Sequence, residues 1–138
     1  MRKLLMPFLL FMFHIAVAQQ PEEQLHKLNI TLPVVGKPVA NYVNVIRVGT
    51  LLFLSGKGPS NNKGEYTTGK VGKDLTLEEG IAAARLTAIN QLAVLKAELG
   101  DLNKVKRIVK VLGMVNCEAD FKDHPPDRRV RVTGELLK

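Results

Sequence analysis

The sequence predicts an α+β fold: an antiparallel-rich sheet with one long helix laid across one face. Three observations carry that expectation. Two β-rich runs flank a glycine between residues 41 and 55. A capping box opens a helical pattern over residues 76–99. An alternating run occupies residues 104–116.

The first pair of runs reads as a hairpin. Val43, Val45, Ile46 and Val48 lead to Gly49, and Leu51, Leu52, Phe53 and Leu54 run on into Ser55-Gly56. β-Branched and aromatic residues around a Gly-containing turn are the hairpin signal. A strand closing on Ser-Gly leaves backbone N–H groups uncovered, and glycine lets a ligand or another chain approach closely. Residues 59–63, PSNNK, form a turn-rich loop. Tyr66, Thr67 and Thr68 then suit a short third strand within residues 64–71.

The helix is the clearest element. Thr76 and Glu79 have the spacing of a capping box, and Glu78 and Glu79 suit the positive end of the helix dipole. That role accounts for the acidic pair without acid/base chemistry. Ile81, Ala84, Ala88, Leu92, Leu95 and Leu99 recur at spacings of three and four, which predicts the buried face. Ala82 and Ala83 add small side chains that let the helix lie close to a sheet, and Gly100 stops it. Beyond it, Val105, Val109, Val111 and Val115 alternate with Lys104, Lys106 and Lys110, then with Ile108, Leu112 and Met114. The second face of this strand begins charged and becomes apolar, which calls for a cover: another element or another subunit.

The domain is flanked by segments of other character. Arg2 and Lys3, an apolar run over residues 4–16 and the Ala16-Val17-Ala18 step read as a signal peptide, residues 1–18. Its apolar run of about a dozen residues is short for a bilayer span of about 20. The mature chain is then expected in the periplasm or outside the cell, with no membrane association. Residues 19–38 carry Pro21, Pro33 and Pro38 and read as an irregular arm. Leaving out residues 1–18, with Arg2 and Lys3, lowers the formal net charge from +7 to +5. No block of like charge and no aromatic-basic interleaving accompanies it, so the charge reads as a solvated surface and nucleic acid is not the expected partner. Cys117 is the only cysteine, so no internal disulfide forms. Neither His26 nor His124 is tied to it by a motif, and the pair has no metal-ligand spacing.

Residues 39–121 resemble the RidA (YjgF-type) family. Tyr42, Gly49 and Ser55-Gly56-Lys57-Gly58-Pro59 stand in the order and spacing of the family's Tyr, Gly and SGQ-x-P pattern, with Lys57 in place of its Gln. Ala84, Asn90, Leu92 and Leu95 match its helix, and the GDL-x-x-V link and Asp120-Phe121 match the family beyond that helix. The branch is similar to the one labelled endoribonuclease L-PSP. The resemblance implies a chorismate-mutase-like fold, a homotrimer with clefts between subunits, and hydrolytic deamination of reactive 2-imino and 2-enamino acids. It implies no metal and no organic cofactor. It places Tyr42, Ser55 and Gly56 in the substrate cleft, although strand packing for Tyr42 and a simple bend for Ser55-Gly56 also account for these residues. No catalytic residue is assigned. Alternatives from other classes are a non-catalytic small-ligand-binding or interaction domain and, more weakly, a ribonuclease.

The resemblance breaks after Phe121. Family domains continue into a second long helix and an Arg-bearing strand whose guanidinium grips the substrate carboxylate. Residues 122–138 offer Arg128, Arg129 and Arg131 behind Pro125-Pro126, outside that motif. The segment reads as an atypical tail of a truncated or frame-shifted second half, with residues 134–137 as a first helical turn. The expectation is a partial domain of four strands and one long helix, with impaired deaminase activity.

Overall fold

A computed structural model describes residues 20–36, 42–121 and 134–136. The expected signal peptide and the tail arginines Arg128, Arg129 and Arg131 lie outside the described residues.

The hairpin forms as the sequence predicts, with shorter strands. Strands β1, Val45–Val48, and β2, Leu51–Leu54, pair antiparallel with Val45 opposite Leu54 and Val48 opposite Leu51. The turn between them leaves Gly49 at φ 59, the positive value that a tight hairpin requires at its first central position. The long helix, Leu77–Leu99, is numbered α2 because an earlier helix precedes it. Its capping box is complete: the Glu79 N–H donates to Thr76 Oγ1 at 3.2 Å, and the Thr76 N–H donates to Glu79 Oε2 at 2.8 Å. Gly100 ends it at φ 74.

Four strands form one sheet in the order β1-β2-β4-β3, each neighbouring pair antiparallel. Two of the four differ from the sequence expectation, one in length and one in kind. Strand β3 is Val105–Ile108, shorter than the expected residues 104–116. Its ladder is interrupted by a bulge between Val105 and Arg107. Strand β4 is Gly134–Leu136, where the sequence suggests a helical turn. It fills the slot between β2 and β3, where backbone pairing on both sides overrides the helix-favouring Glu and Leu. Residues 64–71 form no strand, only isolated bridges from Ser60 to Tyr66 and from Val71 to Leu75 and Cys117.

The arm is not irregular throughout. Pro21–Lys27 is helix α1, with Pro21 at its first turn, where the missing N–H costs nothing. It closes as a Schellman motif: Asn29 takes φ 51, its N–H donates to the His26 carbonyl, and the Ile30 N–H donates to the Leu25 carbonyl at 2.9 Å. Proline breaks a helix from within, but at a helix start it is a promoter.

The core lies under the C-terminal half of α2. Leu52 and Leu99 are buried, with Val45, Leu54, Leu95 and Val105 against them. The expected helix stripe is therefore correct only near that end. Ile81, Ala84 and Ala88 are exposed, while Asn90, Ala93 and Val94 are buried. The reason is that two different layers cover α2. The sheet covers Leu95 and Leu99, whereas Ala93 faces the arm beside Leu25 and Ile30, and Asn90 faces the loop after β2. A single periodic stripe cannot represent both covers.

Candidate functional site

The step after β2 is built by side-chain amides. Beyond the last ladder pair, the Ser55 N–H donates to the Asn44 carbonyl at 3.0 Å, and the Ser55 hydroxyl donates to the Val43 carbonyl. From α2, Gln91 Nε2 donates to the Ser55 carbonyl at 2.9 Å. Its buried Oε1 has no partner among the described residues. Asn90 Nδ2 donates to the carbonyls of Gly58 at 3.1 Å and Ser60 at 3.0 Å, and reaches Ser60 Oγ as well. The loop from Ser55 to Ser60 is thus clamped from below by two consecutive helix residues and from the side by Asn44.

The clamp leaves one side open. Nothing lies within 4 Å of where a Cβ on Gly56 would stand. At Gly58 the same position meets the Tyr66 ring at 2.9 Å, so a side chain there would have to displace that exposed ring. Lys57 is half-buried, and its ammonium donates to Asn44 Oδ1 at 2.6 Å. Tyr42 is 44% exposed, two residues before Asn44 on the approach to β1. Of the three site residues named from the sequence, Ser55 and Gly56 form the step itself and Tyr42 lies on the adjoining backbone segment. Asn44 and Gln91, which hold the step, escape the sequence reading. Asn90 and Gln91, two adjacent amides between the apolar Ile89 and Leu92, were the available signal for Gln91.

A cleft of about 450 Å³ opens elsewhere, between α1, the following arm and α2. Leu25, Ile30, Val35, Ala93, Glu22 and Lys96 are among its lining residues, and Tyr42, Ser55 and Gly56 are not. Its polar end is an ion pair, Glu22 Oε1 to Lys96 Nζ at 2.6 Å, and Glu22 also accepts the Leu102 N–H at 2.8 Å. The Lys96 hydrogen bond, then that backbone N–H, hold the Glu22 carboxyl below its ordinary range. With both charges mutually satisfied, this cleft reads as the seam where α1 docks. Among the described residues no group of three or more His, Cys, Asp or Glu is placed to hold a metal ion. No helix among them is long and apolar enough to cross a membrane.

A sequence profile of the YjgF/chorismate mutase-like family, whose description names candidate endoribonucleases, matches residues 22–135. The chain belongs to the YjgF/chorismate mutase-like family. The match takes in most of α1 and of β4, both outside the span that the sequence resemblance covered. Among relatives, the chain is 41% identical over 99 residues to Protein TCP17 of Trypanosoma cruzi, covering 72% of this chain and 62% of that protein. It therefore spans less than two thirds of that curated relative's length. The YjgF-like fold is also seen in a crystal structure of a candidate endoribonuclease from Shewanella oneidensis. That structure superposes with a TM-score of 0.72 at 34% identity, covering 77% of this chain and 70% of the other. A protein of unknown function from Agrobacterium tumefaciens gives a TM-score of 0.70 at 29% identity, covering 87% of this chain and 95% of the other.

Proposed function

We propose that this YjgF-like chain binds small 2-imino and 2-enamino acids at the Ser55-Gly56 step and hydrolyses them to 2-keto acids and ammonia. The observation that carries this reading is the step itself: a clamped backbone turn, open at Gly56, at the end of a central strand. Hydrolysis of an imine needs little covalent help from the protein. Water adds to the C=N carbon, nitrogen gains a proton, and ammonia leaves as the carbonyl forms. The protein's part is to hold the planar substrate and orient water, and a rigid backbone edge suits that role. Tyr42 would border the substrate, and Ser55 and Gly56 would face it.

The reading extends to assembly and location. Leu112 is 71% exposed and Met114 88%, and Ile46, Val48 and Phe53 expose the other face of the hairpin. Exposed apolar side chains of this kind favour a subunit interface, and a homotrimer with the step near that interface fits them. The signal-peptide pattern of residues 1–18 favours export to the periplasm or beyond. RNA cleavage, which the description of the Shewanella relative suggests, is the competing reading. The two are separated by supplying a freshly generated 2-imino acid and a structured RNA to the purified chain in parallel. Faster ammonia release with intact RNA supports deamination, whereas RNA cut by pure protein with unchanged imine decay reverses the ranking.

A further inference from the structure

We propose that Lys57 is the anion anchor of this site, selecting ligands that carry a carboxylate; the proposal rests on the reading of the Ser55-Gly56 step as a ligand site.

The surroundings of the ammonium set it apart. Ion pairs among the described residues engage Lys27, Arg47, Lys70 and Lys96, and Lys57 is in none of these. Lys63, Lys73, Lys106 and Lys110 also lack such a partner, but they are exposed and solvated. Lys57 is half-buried, and its one hydrogen bond goes to a neutral amide oxygen, Asn44 Oδ1 at 2.6 Å. An ammonium has three donors, so this tether leaves two free. A half-buried cation with a neutral tether and no counter-charge is an incomplete arrangement, and an anionic ligand completes it.

Position adds to charge. The β1–β2 register pairs Val45 with Leu54. Its next pair sets Asn44 opposite Ser55, where the Ser55 N–H to Asn44 carbonyl bond forms. Lys57 reaches the segment before β1 through its bond to Asn44. The cation is therefore held at Asn44, two residues along the chain from Tyr42, and one residue from open Gly56. The tether also removes part of the ordering cost that a free lysine meets on binding.

The test is calorimetric titration of the full chain with 2-oxobutyrate and, as an uncharged control, its methyl ester. Three forms are compared: wild type, Lys57→Gln and Lys57→Arg. Gln keeps an N–H donor for Asn44 while removing the charge. The wild type is expected to prefer the acid over the ester by about tenfold or more, as a charge-assisted hydrogen bond implies. K57Q should bind the acid roughly ten- to a hundredfold more weakly and lose that preference, and K57R should keep most of it. Salt should weaken acid binding in the wild type and K57R, which gives the same reading should K57Q fold poorly. Undiminished acid binding by K57Q, no acid binding by the wild type, or equal weakening of acid and ester would each overturn the proposal. Ammonia release is read on the same samples. Carboxylate selection through Lys57 without imine hydrolysis removes the proposed reaction and leaves the anchor. Hydrolysis with K57Q binding unchanged does the reverse.

Discussion

The side-chain amide of Asn90, in the middle of α2, donates to the backbone carbonyl of Gly58 at 3.1 Å. The same nitrogen reaches the Ser60 carbonyl at 3.0 Å, and Asn90 is only 9% exposed. The far end of the loop that carries the candidate site is thus fixed to the helix by a buried polar residue, as Gln91 fixes its near end. Replacing Asn90 with Leu keeps the branched four-atom side chain and removes the donor from both carbonyls; the Gly58 carbonyl keeps the Ser60 N–H, while the Ser60 carbonyl loses its Asn90 donor. Asn90→Leu is expected to cost about 1–3 kcal/mol in urea unfolding, from the lost Asn90 hydrogen bonds and the partly buried Ser60 acceptor left without its amide donor. A cost below about 0.5 kcal/mol would mean that water replaces the amide without loss.

Gly80 sets two effects of similar size against each other. Alanine would gain about 1 kcal/mol of helix propensity. Its Cβ, however, would meet Val71 Cγ2 at 2.9 Å, and Val71 is 5% exposed with little room to retreat. Overpacking of this kind costs about 1–3 kcal/mol, so Gly80→Ala should be net destabilising. In a Val71→Ala background the clash disappears and the same substitution should become stabilising. A double-mutant cycle that shows no coupling would place the contact outside the real packing.

Glu22 links the N-terminal helix to α2 and to the segment after it. Its carboxyl is held below the ordinary range, so the folded chain binds that proton less readily than the unfolded chain. The stabilisation is present above the unfolded value of about 4.3 and is lost as pH falls through the lower folded one. Stability should therefore fall with acidification from about pH 4.5 downward, and Glu22→Gln should flatten that limb and lower stability at neutral pH. Both partners are partly solvated, so the difference should be about 1 kcal/mol or less. Stability profiles of wild type and variant that run parallel through this window would remove Glu22 as the cause.

The cap of α2 offers a local check. Thr76→Ala removes the acceptor for the Glu79 N–H and should lower stability by about 1 kcal/mol. Thr76→Ser, which keeps the hydroxyl, should be close to wild type in thermal unfolding.

Much of this fold is legible in the chain. The hairpin around Gly49 and the helix between Thr76 and Gly100 arise from local signals, because turn chemistry and capping act over a few residues. The strand Gly134–Leu136 is not legible, since its pairing with β2 and β3 is set by partners far away in sequence. The burial of Ala93 and Asn90 is hidden for a related reason: the layers over them come from residues 20–36 and 55–60, and no periodicity within α2 reports those covers. Ser55 and Gly56 stand out as a small-residue step, while the amides that hold them become visible only in three dimensions.

The reaction itself is tested most directly by ammonia release from a 2-imino acid generated in situ, with Gly56→Val as the control that fills the open side of the step. The wild-type chain should release ammonia faster than the uncatalysed decay, and Gly56→Val, still folded by circular dichroism, should fall to the uncatalysed rate. Equal decay with and without the wild-type protein, or full activity in Gly56→Val, would contradict the assignment of this step as the site of hydrolysis.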